Sequence, residues 1–144
     1  MTLLDSTVLA IVEGVTEYLP ISSTGHIILA SAALGIHQDQ FTQYFTVMVQ
    51  FGAILAVVFE YFRVLTSQKR IYPVLLVAFL PAAIIGFALH KLIDQALGSV
   101  WVVAVSLFVG GVALVFTDHL FPKSRVQLYD VKKIEIRDAL IIGF

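Results

Sequence analysis

The sequence contains no cysteine, so no disulfide staples the fold and cysteine usage says nothing about redox compartment. Charge is scarce. Asp, Glu, Lys and Arg make up 13% of the 144 residues, against about 25% in a soluble domain. The two signs nearly cancel, for a formal net charge of −1, so there is no basic surplus of the kind that binds nucleic acid. Residues 1–36 hold no Lys or Arg, which argues against a signal peptide with a basic start. Apolar residues are abundant: they form 59% of the chain, and mean hydropathy is +0.94. A single domain of this length keeps much of its surface in water and cannot hide that excess in one core. Disorder and a collagen-like fibre are excluded by the same composition. The reading that remains is an all-α integral membrane protein.

The charges are clustered, with long gaps between them. No charge occurs in residues 40–59, 71–89 or 95–117, and a helix needs about 20 apolar residues to cross the hydrocarbon layer. The gaps predict three transmembrane helices, at about 41–62, 71–90 and 97–119, within a segment 37–121. The runs are continuous rather than alternating, unlike a barrel wall. Gly52/Ala56 and Ser106/Gly110 set small residues four apart, as close helix packing in lipid prefers. Pro81 inside the second span is tolerable where neighbours cover the freed carbonyl. Orientation follows from the basic residues. Arg63, Lys69 and Arg70 lie between the first two spans, Lys91 alone between the second and third, and Lys123, Arg125, Lys132, Lys133 and Arg137 after the third. The first and last of these segments, including a loop at 122–137, are expected in the cytoplasm. The start of the first span is then outside.

The first 36 residues differ, carrying Asp5, Glu13, Glu17 and His26 within apolar sequence. A continuous helix from Leu3 to Ile36 would be about 51 Å long at 1.5 Å per residue, too long for a hydrocarbon layer of roughly 30 Å. Pro20 and the run Ser22-Ser23-Thr24-Gly25 fall near its middle. Leu19 precedes a proline and is pushed out of helical geometry. Ser22 or Ser23 is a good N-cap for a second helix, and Gly35 suits the position just past its end. Two short helices joined by a break, entering and leaving the membrane on the outer side, are favoured over one tilted span.

Glu13 and Glu17 are four apart and share a helix face. Ionisable groups within a membrane are functional suspects by default, and two carboxylates together require a proton or a cation between them. Ser22, Ser23, Thr24 and Gly25 open the next helix, where free backbone N–H groups and the helix dipole form an anion site. His26 follows Ser22 by four residues and Ser23 by three, so on a helix it could reach either hydroxyl, and its pKa suits proton transfer. A carboxylate pair, a phosphate cradle, a hydroxyl nucleophile and a base thus share residues 13–26. Each part alone has a plainer reading: interfacial glutamates, a simple helix cap, a packing histidine. Gln50, in the middle of the first span, reads first as an interhelical hydrogen-bonding residue and second as a ligand to substrate.

The stretch Glu13-Gly-x-Thr-Glu17-x-Leu-Pro20-Ile-Ser22-Ser23-Thr24-Gly25-His26 resembles the undecaprenyl-diphosphatase family, bacterial membrane phosphatases linked to bacitracin resistance. The stretch from Phe45 to Val58, which contains Gln50 and Gly52, is also similar to that family. The resemblance implies hydrolysis of undecaprenyl diphosphate to undecaprenyl phosphate at the outer face of the plasma membrane, which recycles the lipid carrier of cell-wall synthesis. It implies one half of an inverted-topology repeat, each half a re-entrant helical hairpin plus three spans. It identifies Glu13 and Glu17 as the acidic pair, Ser23 as the proposed nucleophile, Ser22 as its neighbour and His26 as the motif histidine. Thr24, Gly25 and Gln50 are then substrate-side candidates. A divalent cation, magnesium or calcium, is expected on Glu13 and Glu17. The expected partners are the lipid substrate and the bilayer, with a homo-oligomer as a candidate assembly and no nucleic acid.

The family's second motif, Pro-Gly-x-Ser-Arg-Ser, has no counterpart in this sequence. Asp138–Phe144 aligns weakly with Asp5–Ile11, so 138–144 is expected to begin a second, truncated repeat. A chain cut there would be an N-terminal half with little activity alone. Broken helices and buried acids also suit half of a transporter or channel, and a non-catalytic membrane subunit is a further alternative. The Ser-Ser-Thr-Gly-His run favours the phosphatase, because ion coupling has no need of a nucleophile.

Overall fold

The computed structural model describes residues 1–69, 71–120 and 136–143, all helix or the short connections between helices. Helix α1 spans Leu3–Thr16, α2 Ser23–Ala33, α3 Gln40–Glu60, α4 Phe62–Ser67, α5 Ile71–Leu97, α6 Val100–Leu120 and α7 Ile136–Gly143. The loop expected at 122–137 lies outside the described residues up to 135. Arg70, Lys123, Arg125, Lys132 and Lys133 are outside them too.

Local chemistry fixes the ends of α1 and α2. Thr2 caps α1 through a reciprocal box: the Asp5 amide donates to the Thr2 hydroxyl at 3.2 Å, and the Thr2 amide donates to the Asp5 carboxylate at 2.6 Å. Such a box satisfies two of the helix's orphan N–H groups. Helix α2 ends in a Schellman turn. The Ile36 amide bonds the Ser31 carbonyl at 2.9 Å and the Gly35 amide the Ala32 carbonyl at 3.0 Å, with Gly35 at φ 71°. That left-handed conformation suits glycine, which has no Cβ to clash.

Three helices, α3, α5 and α6, are long and apolar enough to cross a membrane. Their side chains face outward: Phe87 is 83% and Trp101 82% exposed. In water so much bare apolar surface would drive association, whereas in lipid it is the expected state. The chain is a multi-pass membrane protein. Helix α5 runs seven residues past the expected end, beyond Lys91 and Asp94 to Leu97, because a charge ends the apolar layer without ending a helix.

The small core sits where α1 and α2 pack together, with α3 against α1 and α6 against α2. Leu9, Glu13 and Thr16 form the buried stripe of α1, and Ile27, Ile28 and Ser31 that of α2. Stripes at this spacing are the ordinary device for burying one helix face; a glutamate in the middle of one is not. The close helix approach is made by Gly25, where a Cβ would stand 3.1 Å from the Leu107 side chain. Gly52 and Gly110, expected to serve that purpose, have nothing among the described residues within 4 Å of where a Cβ would stand. Helix α7 packs on α5, and Gly143 crosses at Ala78 and the buried Pro81.

Candidate active site

Helix α1 stops at Thr16, and Glu17 caps it with helical geometry, its amide bonding the Glu13 carbonyl at 2.8 Å. The chain then turns through Tyr18–Ser22 before α2 begins. Pro20 cannot donate to a helical ladder and restrains Leu19, so the turn falls here. Ser22 completes it with φ 61°, ψ 89°, a left-handed conformation rare outside glycine. Its hydroxyl accepts from the Gly25 amide at 3.4 Å. One consequence is that the first turn of α2, Ser23–Gly25, is aimed back toward the end of α1.

That reversal brings Glu17 and Ser23 into contact: the Ser23 hydroxyl donates to a Glu17 carboxylate oxygen. Glu13 lies one turn earlier on the same face and is only 1% exposed. Neither of its carboxylate oxygens has a hydrogen-bond partner among the described residues. Burying a carboxylate without a partner costs several kcal/mol in its charged form, so the site calls for a proton or a cation at Glu13. Among the described residues no cluster of three or more His, Cys, Asp or Glu side chains gathers. The described residues bring two carboxylates, Glu13 and Glu17, to one helix face at this turn.

His26 departs from the sequence reading. It pairs with neither serine hydroxyl; its Nδ1 donates to the Ser22 carbonyl at 2.9 Å. The Ser23 hydroxyl is already committed to Glu17, and the first-turn carbonyl is the partner within reach. In a neutral ring Nε2 is then the acceptor. From α3, Gln50 Nε2 donates to the Thr24 hydroxyl at 2.7 Å, the interhelical role its mid-span position suggested. The Tyr18 hydroxyl donates to the Ala53 carbonyl at 3.1 Å and ties the turn to the same helix.

All eight residues singled out from the sequence thus lie around the turn between α1 and α2. Sequence reasoning missed the Glu17–Ser23 pairing and the contribution of α6. Ser23 follows Glu17 by six positions, so they can meet only if the chain doubles back, and Leu-Pro followed by Ser-Ser was the available signal. Helix α6 forms the second wall of a cleft of about 360 Å³ whose first wall is Pro20, Ile21, Ser22 and His26.

Comparison with known proteins adds the family. The model of the bacitracin resistance protein BacA family matches residues 6–144. A Porphyromonas gingivalis protein named undecaprenyl-diphosphatase is 44% identical over 161 aligned residues, covering 99% of this chain and 56% of its own length. Proteins of the same name from Bdellovibrio bacteriovorus and Aquifex aeolicus are 43% and 46% identical. Each covers 99% of this chain, and 54% and 56% of the relative. The chain spans about half the length of the curated relatives it matches. No solved structure matches it. With nearly its whole length matched by the family model, the chain belongs to the bacitracin resistance protein BacA family.

Proposed function

We propose that this chain carries the acidic and nucleophilic half of a phosphatase that converts undecaprenyl diphosphate to undecaprenyl phosphate and phosphate. The observation that carries the reading is Glu13. A buried carboxylate with both oxygens unpartnered, one turn from a carboxylate that accepts a serine hydroxyl, is costly for stability and useful for phosphoryl chemistry. The names of the relatives, each an undecaprenyl-diphosphatase, support the substrate.

In this reading helices α1 and α2 form a re-entrant hairpin in the outer leaflet of the bacterial plasma membrane, its mouth facing outward. The distribution of Lys and Arg supports that orientation. The arrangement forms one half of an inverted repeat. The substrate tail stays in lipid and only the diphosphate enters. The Ser23–Gly25 amides at the α2 N-terminus hold phosphate oxygens. Ser23 attacks the terminal phosphorus, its proton passes to Glu17, and the bond to the bridging oxygen breaks to release the lipid monophosphate. Water then cleaves the serine phosphate to free phosphate and restore the hydroxyl. In this reading His26 Nε2 takes the proton of that water. A magnesium or calcium ion held by Glu13 and Glu17 would offset repulsion between the carboxylates and the phosphates.

Phosphoryl transfer also needs a positive clamp on the equatorial oxygens. Residues 1–62 contain no Lys or Arg, so the clamp comes from elsewhere, and the family's arginine motif is the natural source. The test is phosphate release from undecaprenyl diphosphate, measured for the purified chain alone and with the remaining half of a curated relative. Release should be weak alone and strong together. Undiminished turnover by the chain alone removes the clamp argument. Ion flux without phosphate release from the pair would make the site a transporter's.

A further inference from the structure

The hydroxyls that open α2 are held in two different ways. The Ser23 hydroxyl donates, to Glu17. The Ser22 hydroxyl accepts, from the Gly25 amide at a long 3.4 Å. The Thr24 hydroxyl also accepts, from Gln50 Nε2 of α3 at 2.7 Å. A hydroxyl has one proton and two lone pairs, so one that donates has spent its proton and one that accepts keeps it. Elsewhere in the chain a threonine proton goes to the carbonyl one turn back: Thr16 donates to Val12, Thr46 to Thr42 and Thr117 to Ala113. At Thr24 the residue one turn back is Pro20, in the turn before the helix, and among the described residues the Thr24 hydroxyl has only the bond it accepts. An amide oxygen from Gln50 in the same place would have taken that proton. The amide nitrogen leaves it to be given elsewhere.

We infer that Gln50 is a positioning residue: by donating to Thr24 it turns the Thr24 proton toward a phosphate oxygen held at the α2 N-terminus. The inference rests on the phosphatase reading and adds which hydroxyl grips the anion and what aims it. The free amides of a first helical turn already favour negative charge, and a hydroxyl proton among them is one donor more. Ser23 and Thr24 then divide the work. The Glu17 carboxylate makes the first hydroxyl a nucleophile, and the Gln50 amide makes the second a donor. The aiming bond comes from another helix, 26 positions along the chain, so it does not depend on how the turn before α2 is folded. Gln50 touches no phosphate in this arrangement; it acts through Thr24.

The test is Gln50→Glu, followed by phosphate release from undecaprenyl diphosphate across pH, with the chain and the complementary half of a relative in vesicles. Glutamate matches glutamine in length. As a carboxylate it can only accept, so it takes the Thr24 proton; once protonated it can donate as glutamine does. At high pH kcat/KM should fall about tenfold below the parent, the low end of what one hydrogen bond to a charged group is worth, and it should return toward the parent as pH drops. Glu13 and Glu17 on α1, His26 on α2 and His37 before α3 are present in both proteins, so their titration cancels in the ratio of variant to parent. A new negative charge could repel phosphate with the same trend, so the ratio is measured again in Thr24→Val, where it should no longer vary with pH. Gln50→Met asks the question without a charge: it should lower kcat/KM when Thr24 is present and not in Thr24→Val. A ratio that varies with pH equally in both backgrounds, a Gln50→Glu ratio near one at every pH, or a Gln50→Met loss that Thr24→Val leaves unchanged overturns the role of Gln50 and leaves the phosphatase reading standing. No phosphate release by the parent pair overturns both.

Discussion

The Ser23 hydroxyl donates its hydrogen bond to the Glu17 carboxylate across a turn that reverses the chain between them. A serine held in this way has its proton already aimed at a base, and its oxygen lone pairs are left for an electrophile. The pairing gives the two glutamates separate roles. One oxygen of Glu17 accepts from the serine, while both oxygens of Glu13, buried and unpartnered, are left for a proton or for a cation shared with Glu17.

The pairing predicts a trapped intermediate. Terminally labelled substrate, quenched in acid during turnover by the chain with its complementary half, should leave phosphate on Ser23. Glu17→Gln keeps the size of the side chain and removes the base, so it should slow formation of that species by about 10²–10⁴-fold while substrate still binds. Label-free Ser23 in an enzyme at full rate would assign the attack to water instead.

The left-handed Ser22 makes a second prediction, about stability. Its conformation costs roughly 1–3 kcal/mol for a residue with a Cβ, and its cap hydrogen bond at 3.4 Å is a long one. Ser22→Gly relieves the first and forfeits only a few tenths of a kcal/mol, about the difference between Ser and Gly at an N-cap. Thermal unfolding in detergent should show Ser22→Gly at or above the parent and Ser22→Val well below it. Equal loss in both would mean that the hydroxyl, not the backbone, is what the turn requires.

Gln50 and Thr24 should behave as a pair. Their hydrogen bond, 2.7 Å between α3 and the first turn of α2, is half-buried, and such bonds contribute about 0.5–1.5 kcal/mol. Gln50→Leu and Thr24→Val should each destabilise the chain, and the double variant should cost less than their sum. Strict additivity in the unfolding free energies would show that the two side chains do not act on each other.

Asp39 supplies a pH dependence. Partial burial opposes its charge, but the Phe41 amide, the Thr42 hydroxyl and the Met1 ammonium prevail and hold its carboxyl below the usual range. A depressed carboxylate stabilises the fold fully above the unfolded-state value of about 3.9. That contribution is lost as pH falls through the lower folded value. Unfolding followed through that acid window should show a steeper loss for the parent than for Asp39→Asn, and parallel curves would remove Asp39 as the cause.

Much of this was legible in the sequence because lipid imposes simple rules. Gaps in charge marked three apolar helices, and Leu19-Pro20 followed by serines marked where the N-terminal segment breaks. Glycine at position 35 marked the end of α2, since its left-handed turn excludes most side chains. The site's members were readable as residue types, but their partners were not. His26 could reach a hydroxyl by helical spacing, yet that hydroxyl's choice of Glu17 depends on how the turn folds back, which spacing along one helix cannot express. The role of α6 was hidden for a related reason. Among the described residues the close approach to α6 is made by Gly25 against Leu107, a contact that spacing along α6 alone cannot express.

The account stands most directly on phosphate release from undecaprenyl diphosphate in vesicles holding this chain and the complementary half of a relative. Conversion by the parent and loss of it in Ser23→Ala and Glu13→Gln is the result expected. Turnover that survives both site substitutions would contradict the assignment of the chemistry to this turn.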